Sequence, residues 1–420
     1  MKKLMSILGS VALVCLVLTN CSSQPSDFDN ALVSTECPKI VLCVDINPSG
    51  PKDAREFLDR LPGCGREFDV ELELLSEDQA KRSAQITRIR TEIMAGKGPD
   101  VFICYISPKE SMGESLFRYP EKSMLNRVFL PLDEYIAKAQ YMKMDELLPV
   151  VMEAGKGKEG QMVLPLSYEL NVMLVDTAQY TLSQELPSSW EEMLTSQDPI
   201  LAYAASSQQY SHILGYLADF EAEELNFTEE ELLAWAQQKT LMRSRLEESN
   251  FRNGDCLGAV VWGYGNPKLY DARLDDSAPV YTAIPPYNLQ GGVTASVTTF
   301  AAINRNTQNP DTAFLLLDVL LSKQTQQNSE IYSWLLGMPT HMDLGKSSDM
   351  AKSPGGFWYM NEGNYQNYLE MRDKINVVKF RTPLDDCLDH IQFRSVQEDT
   401  PLEKIVHEEY ATMQMMLAES

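Results

Sequence analysis

Aromatic and acidic side chains stand together at the ends of several apolar, strand-like runs of the sequence. Five of them are Tyr105, Tyr168, Glu169, Trp262 and Tyr264. Flat aromatic rings stack on the apolar faces of a ligand, and a carboxylate accepts hydrogen bonds from its hydroxyl groups. These residue types therefore suit a site for a small polar molecule with flat apolar faces, of which a sugar is the plainest example. The alternative is that the rings pack in a core and that residues 168 and 169 are merely solvated.

A second set of polar and aromatic residues follows other predicted elements. Its members are Asn47, Ser49, Tyr203, Ser206, Gln208, Trp334, Trp358 and Tyr359. The first two follow the first predicted strand, the next three follow a strand-like run near residue 200, and the last three are placed to cover the mouth of a cleft. Packing between two lobes uses the same aromatic types, so that alternative stays open.

The elements that must position these residues alternate between strand and helix. Apolar runs at 39–46 and 101–105 and an alternation of apolar and acidic residues at 68–75 predict three strands, and amphipathic stretches between them predict helices. Parallel neighbours need crossover connections, so this βαβαβ order predicts a parallel sheet with helices on its faces. The first part of the chain is therefore predicted to be α/β.

A second region of the same kind begins further along the chain. Strands are predicted at 163–175, 257–262 and 294–303, and a helix is predicted to start at Ser189. From Lys374 onward the pattern is largely that of amphipathic helix. Both regions together predict an α/β fold class for the whole chain.

No motif for catalysis, cofactor binding or metal binding stands out. Glycine patches at 96–98 and 155–160 lack the spacing of a phosphate loop, and Gly263 with Gly265 lacks the third glycine of a dinucleotide fingerprint. The four histidines show no metal-ligand spacing, and no GxSxG motif occurs. We therefore predict no catalytic residue, no metal and no cofactor. A surface glycoside hydrolase stays open as an alternative, because 60 acidic residues supply many possible carboxylate pairs.

The first twenty residues have the pattern of an export signal. Lys2 and Lys3 precede an apolar run over 4–18 that is too short to span a bilayer comfortably. Removing residues 1–20 takes away these two lysines and no acid, so the formal charge moves from −24 to −26. A surface this acidic repels nucleic acid, and nucleic-acid binding is therefore excluded.

A short motif at the end of this signal, Leu-Thr-Asn-Cys over residues 18–21, resembles the bacterial lipobox. In that motif the signal is cut before a cysteine that then carries a lipid, although Asn20 departs from the small residue preferred there. The resemblance implies lipid attachment at Cys21, a flexible tether over 21–37, and a location at the extracellular face of the cell membrane. A plain cleaved signal and a retained anchor are the alternatives.

The remaining cysteines leave their pairing open. They are Cys37, Cys43, Cys64, Cys104, Cys256 and Cys387. An even number can form disulfides outside the cell, yet none has a CxxC spacing, so buried reduced thiols are the alternative.

Three stretches of sequence occur in a characteristic order. They are Ile93–Phe102, Leu164–Glu169 followed by Ser188–Glu192, and Ala301–Leu315 followed by Gly337–Pro339. The first ends a helix on glycines and turns through Pro99 into a strand. Together, over residues 38–420, they resemble family 1 of the extracellular solute-binding proteins of bacterial ABC importers, the group that includes maltose-binding protein.

This resemblance implies a two-lobe fold of the type II periplasmic-binding-protein kind. Each lobe is then a mostly parallel sheet flanked by helices, with the ligand cleft at the hinge. Mapped onto this sequence, the first lobe covers 38–165 and 292–338, and the second lobe covers 166–291 and 339–420.

The resemblance also implies ligand contacts and partners. Trp262 and Tyr264 fall where the family carries a stacking aromatic, Tyr168 and Glu169 fall at the first crossing between the lobes, and the loop after Tyr105 faces the cleft. A monomer of this kind captures a small solute, a mono- or oligosaccharide by analogy, and delivers it to ABC transporter permease subunits. A sensor for a signalling kinase, or binding of a peptide, polyol, polyamine or organophosphate, are the alternatives.

Overall fold

A computed structural model describes residues 39–45, 54–106, 114–176, 178–248, 260–262, 280–328, 337–343 and 362–419 of the chain. These residues form an α/β structure with one large mixed sheet and a smaller antiparallel sheet. Within these ranges, no helix combines the length and apolar character needed to cross a membrane.

The regular elements alternate along the chain as follows. The strands are β1 (Lys39–Asp45), β2 (Asp69–Leu74), β3 (Val101–Tyr105), β4 (Lys156–Gly157), β5 (Gly160–Gln161), β6 (Val163–Leu170), β7 (Met173–Asp176), β8 (Ala218–Asp219), β9 (Glu224–Leu225), β10 (Val260–Trp262), β11 (Tyr281–Ile284), β12 (Val293–Ile303), β13 (Met338–Pro339) and β14 (Ile375–Phe380). The helices are α1 (Ala54–Asp59), α2 (Gln79–Met94), α3 (Pro120–Leu125), α4 (Asp133–Ile136), α5 (Pro149–Glu153), α6 (Trp190–Thr195), α7 (Pro199–Ser207), α8 (Tyr210–Leu214), α9 (Glu229–Glu248), α10 (Pro310–Leu320), α11 (Lys323–Gln327), α12 (Glu362–Arg372), α13 (Pro383–Gln397) and α14 (Leu402–Glu419).

The large sheet starts with the three strands that the sequence predicted. β1 pairs in parallel with both β2 and β3, which confirms the predicted βαβαβ unit. β12 then pairs antiparallel with β3 and β6, and β13 pairs antiparallel with β6, so the order is β13-β6-β12-β3-β1-β2. β1 is buried on both faces, as expected of a central strand covered by helices.

Two apolar clusters cover the two faces of this sheet. Phe102 belongs to the cluster that contains Ile86 of α2, whereas its neighbours Val101 and Ile103 belong to the cluster that contains Leu316 of α10. Successive side chains of a strand point to opposite faces, so β3 contributes to both clusters. Each such side chain, fully buried, contributes about 1.5 to 3 kcal/mol.

β12 is long enough to pair with different strands along its length. Its first half pairs in parallel with β14, and its second half pairs with β3 and β6. The prediction of helix from Lys374 onward is therefore wrong for β14, although α13 and α14 confirm it further on. β14 contains Ile375, Val377 and Val378, whose β-branched side chains favour a strand once a sheet neighbour is present.

The small sheet differs from the parallel arrangement expected for the second lobe. Both β10 and β11 pair antiparallel with the central strand β7. β7 continues from β6 after the two residues Asn171 and Val172, while β11 precedes β12, which runs antiparallel to β6. The segment that follows β6 and the segment that leads into β12 therefore run in opposite directions where they pair.

The residue ranges assigned to the two lobes remain a prediction. The large sheet is continuous across the predicted boundary, since β14 from the second range pairs with β12 from the first. β6 itself runs through the boundary at residue 165.

Four cysteines lie within the described ranges, namely Cys43, Cys64, Cys104 and Cys387, and of these Cys43 and Cys104 are buried free thiols. Burial raises the pKa of the Cys43 and Cys104 thiols well above their usual value, which keeps both protonated. The other two cysteines left open above lie outside the described residues.

Candidate ligand cleft at the crossing strands

Two neighbouring cavities lie where β6, β12 and β14 come together. The inner cavity has a volume of about 290 Å³ and the outer cavity about 390 Å³, and Ile106 and Arg381 line both. The other residues of the inner cavity are Glu169, Leu170, Asn171, Gln209, His212, Ser296, Val297, Thr298 and Asp385. The other residues of the outer cavity are Glu114, Ser115, Phe117, Arg118, Thr382, Pro383, Asp386, Cys387, His390, Glu409, Thr412 and Met416.

Polar groups gather at the inner cavity because the paired strands β6 and β12 both contribute side chains to it. Glu169 lies near the end of β6, and Ser296 and Thr298 lie in the middle of β12. The Oγ atom of Ser167 lies 2.8 Å from Oγ1 of Thr298, so a hydroxyl pair joins the two strands at the crossing. The pairing of β6 with β12 thus brings residues more than 120 positions apart to one cavity.

Glu169 is the predicted site residue that lies in the cleft. Its side chain is exposed and lines the inner cavity. Protein atoms packed around the carboxyl nevertheless exclude part of its water and raise its pKa, and the charge of Arg381 only partly opposes the rise. Within the described ranges the Glu169 carboxylate has no hydrogen-bond or ion-pair partner, so it is available to a ligand.

Arg381 follows β14 and is fixed by carboxylates of the next helix. Its guanidinium lies 2.6 Å from Asp386 Oδ1 and 2.7 Å from Asp389 Oδ2. Its Nε is buried and has no hydrogen-bond partner in the described part of the chain. Asp385 takes part in a capping box with Thr382 at the start of α13 and pairs with Lys379 at 2.6 Å. Burial would raise the pKa of Asp385, but the charges of Lys379 and Arg381 outweigh burial and hold that pKa below its usual value.

His212, on the short helix α8, contributes a neutral ring to the inner cavity. Burial lowers its pKa to about 3, so the imidazole is uncharged at neutral pH. Its Nε2 lies 3.4 Å from the Ser296 hydroxyl, and its buried Nδ1 has no hydrogen-bond partner among the described residues. A neutral ring with one unused nitrogen can exchange a hydrogen bond with a ligand hydroxyl.

The outer cavity lies between the segment 114–118 and the helices α13 and α14. Phe117 provides an aromatic ring, and Arg118 stands exposed at the rim. His390 and Glu409 face them from the helices, with His390 Nδ1 3.6 Å from Glu409 Oε2. This cavity therefore offers one aromatic surface within a polar rim.

Two predicted contacts near the crossing lie beside the cleft and not in its walls. Tyr168 is fully buried, and its hydroxyl is hydrogen-bonded to that of Tyr368. Tyr105 ends β3 opposite Thr299, is half-buried, and does not line either cavity, whereas the next residue, Ile106, lines both. Their role in ligand binding stays a prediction.

Tyr203, Ser206 and Gln208 do not follow a strand, so that part of the prediction is wrong. The first two lie on α7, and Gln208 ends it. The side chain of Asp198 accepts hydrogen bonds at the start of this helix, and Pro199 occupies its first position. Tyr203 packs on an apolar cluster and the Gln208 amide donates to the Tyr287 carbonyl, whereas the neighbouring Gln209 lines the inner cavity.

The remaining predicted site residues are Trp262 and a group that lies outside the described residues. The backbone of Trp262 lies in β10. Cys21 and the other candidates fall outside the described residues: Asn47, Ser49, Tyr264, Trp334, Trp358 and Tyr359.

Sequence reasoning missed Arg381, Asn171 and Gln209, and considered His212 only as a metal ligand. Arg381 stands between a strand and a helix that begins Thr-Pro, which is a local signal that points to a strand end. His212 gives no such signal, because its place depends on contact with β12, 84 residues away. Among the described residues, no group of three or more His, Cys, Asp or Glu side chains is arranged to hold a metal ion.

Many solved structures have the same fold as this chain. One is an extracellular solute-binding protein of family 1 from Alicyclobacillus acidocaldarius, with 13% identity, a TM-score of 0.55, and coverage of 91% of this chain and 99% of that chain. An ABC substrate-binding protein from Listeria monocytogenes in complex with cycloalternan has 12% identity, a TM-score of 0.55, and coverage of 91% and 100%. The sugar-binding protein MalE from Xanthomonas citri has 14% identity, a TM-score of 0.57, and coverage of 91% and 98%. No protein-family model and no curated protein matches the chain.

These likenesses confirm the predicted fold class. The chain has the α/β, two-lobe fold of type II periplasmic binding proteins, and the cleft lies at its crossing strands. The identities lie far below the level at which function follows from likeness, so the structures establish the fold alone.

Proposed function

We propose that this protein is a lipid-anchored, extracellular solute-binding protein that captures a carbohydrate and delivers it to the permease of an ABC transporter. The observation that carries the proposal is a cleft of polar side chains lined from both predicted lobes. Ile106 and Phe117 come from the first predicted range, and Glu169, Gln209 and Arg381 come from the second.

The proposed lobes are residues 38–165 with 292–338 and residues 166–291 with 339–420. A ligand that touches both lobes stabilises the closed state by whatever contacts the open state lacks. The closed form of a monomer then presents one docking surface to the permease. The combination of carboxylate, amide and guanidinium groups around the cleft supports a ligand rich in hydroxyl groups.

The export signal over residues 1–20 and the lipid on Cys21 complete the proposal. A tether over 21–37 leaves the lobes free to move close to the membrane. Incorporation of labelled palmitate into the wild-type protein, and its loss in Cys21→Ser, is the expected result. Equal labelling of both proteins would contradict lipid attachment at this residue.

Thermal unfolding against a panel of sugars tests the ligand class. A ligand present at about 100 times its dissociation constant stabilises the folded state by about 2.7 kcal/mol, which is a clear rise in melting temperature. We expect Trp262→Ala and Gln209→Ala to lose this rise while the ligand-free protein stays folded. Phe393→Ala is the control, since that ring is 59% exposed on α13 and lines neither cavity.

Two results would overturn the proposal in different ways. A rise with peptides and none with any sugar would remove the carbohydrate class. Release of product from a glycoside during incubation with the protein would favour the hydrolase alternative over capture and delivery.

A further inference from the structure

The charged side chains of the cleft are almost all paired within the protein. Those with partners in the described part of the chain are Glu114 with Arg90 at 2.6 Å, Asp385 with Lys379 at 2.6 Å, Glu409 with Arg394 at 3.0 Å, and Arg381 with Asp386 and Asp389 at 2.6 and 2.7 Å. Two charged lining residues have no such partner there, namely Glu169 in the inner cavity and Arg118 at the outer rim.

The two cations near the inner cavity, Arg381 and Lys379, form ion pairs with carboxylates other than Glu169. Arg381 already faces two carboxylates, and Lys379 is paired with Asp385. His212 is neutral, because burial lowers its pKa to about 3. Glu169 therefore has no ion-pair partner in the described part of the chain, and the charge of Arg381 compensates for its negative charge only in part.

Closure of the cleft would make this charge costly. Protein already surrounds Glu169 enough to raise the pKa of its carboxyl. A ligand that displaces the remaining water must supply either a counter-charge or several hydrogen-bond donors, since an unpaired charge in a dry cavity is strongly unfavourable.

We infer that the ligand brings a cationic amino group to Glu169, so that the ligand class is a carbohydrate with a free amino group. This inference rests on the proposed function. The polyhydroxyl part of such a ligand meets the unpartnered His212 Nδ1 and Arg381 Nε, two groups that a simple amine would leave unused. A volume of about 290 Å³ is at the lower end of small-molecule sites and suits one sugar ring.

Calorimetric titration of the full chain with matched sugars tests the inference. The probes are glucosamine and galactosamine, each compared with its N-acetyl derivative and with the plain hexose, so that only one substituent changes. The titrations are run at about pH 6.5, where such an amino group is protonated. We expect the amino sugar of the preferred ring to bind about tenfold or more tightly than both neutral counterparts.

Two carboxamide variants locate the effect. Glu169→Gln should bring the amino sugar to within about twofold of the neutral sugars, because the ring contacts remain and the charge pair is lost. Glu159→Gln, which changes a carboxylate that is paired with Arg305 and lines neither cavity, should keep the preference. Loss of the preference in both variants would assign it to the general acidity of the protein and would overturn the role of Glu169.

The failure of this inference can be told apart from failure of the proposed function. Equal or tighter binding of the neutral sugars would overturn the amino-sugar class and would support carbohydrate capture. Binding of putrescine, with no sugar bound, would overturn both the carbohydrate class and the amino-sugar ligand. Binding of none of these probes would count against both as well.

Discussion

The Nζ atom of Lys122 lies 2.7 Å from the carbonyl oxygen of Leu417, close to the end of α14. That carbonyl is among the last four of the helix, which lack partners within the helix itself. The same Nζ lies 2.9 Å from Glu223 Oε1. A buried lysine of α3 therefore caps the last helix of the chain, and it ties the first predicted lobe to the second.

Replacing Lys122 should destabilise the protein more than replacing its acidic partner. Lys122→Met removes a charged donor from a buried carbonyl, and a hydrogen bond of this kind is worth about 1.5 to 3 kcal/mol. Glu223→Gln is the control, because its side chain is 50% exposed and an exposed ion pair contributes less than about 1 kcal/mol. Urea unfolding measures both free energies, and a larger loss in Glu223→Gln would contradict the capping role.

Gly337 lies where a third segment passes the two crossing strands, and its substitution should be severe. Its φ is +121°, and an added Cβ would lie 2.5 Å from Thr298 Oγ1 and 2.8 Å from the backbone oxygen of Tyr168. Gly337→Ala should therefore lower the free energy of unfolding by more than about 2 kcal/mol. Gly96→Ala is the matched control, since Gly96 also has a positive φ of +76° but nothing within 4 Å of the added atom. Gly96→Ala should lower the free energy of unfolding by about 1 kcal/mol. Equal losses in the two variants would show that the close approach at residue 337 does not affect stability.

The parts of the fold that follow from local pattern were predictable. The strands β1 and β3 are mostly apolar runs, β12 is rich in apolar and β-branched residues, and α10 begins at Pro310, a residue type favoured in the first turn of a helix. The position of Glu169 was implied by the family resemblance, which puts this residue at the first crossing between the lobes; in the structure it comes near the end of β6 and lines the inner cavity.

The parts that depend on distant neighbours were not predictable. β14 is a six-residue segment whose partner, β12, is about 80 residues away, and without that partner the segment fits a helical pattern. Missing β14 also meant missing Arg381, which follows its last residue. The apolar run of α7 has no period that separates helix from strand, and only the cap at Asp198 decides the matter.

The hydroxyl pair of Tyr168 and Tyr368 should show energetic coupling across the crossing strand. Both rings are almost fully buried, and their hydroxyls are hydrogen-bonded to each other. Each single change to Phe removes one half of this bond and leaves the other hydroxyl without that partner, at a cost of about 1 to 3 kcal/mol. The double variant should therefore cost less than the sum of the two, by about 1 kcal/mol in a double-mutant cycle. Strict additivity would mean that the two hydroxyls do not stabilise each other.

Glu121 on α3 should make the stability of the protein depend on pH in the neutral range. Burial raises the pKa of its carboxyl to about 7, Asp385 adds to the rise, and Oε2 has no hydrogen-bond partner in the described part of the chain. The folded state thus holds this proton more tightly than the unfolded state, where the carboxyl titrates near 4.5. The stabilising effect of the proton is complete below about pH 4.5, and it is lost as the pH rises to about 7.

Glu121→Gln keeps the shape of the side chain and cannot lose a proton. Relative to the wild type, the variant should gain about 2 kcal/mol in free energy of unfolding between about pH 5 and pH 8, since the wild type alone must then bury a charge. Denaturant unfolding at the two pH values measures the difference, with the exposed Glu134→Gln as a control that should show no such gain. A difference between Glu121→Gln and the wild type that stays constant over this range would place the titration elsewhere in the molecule.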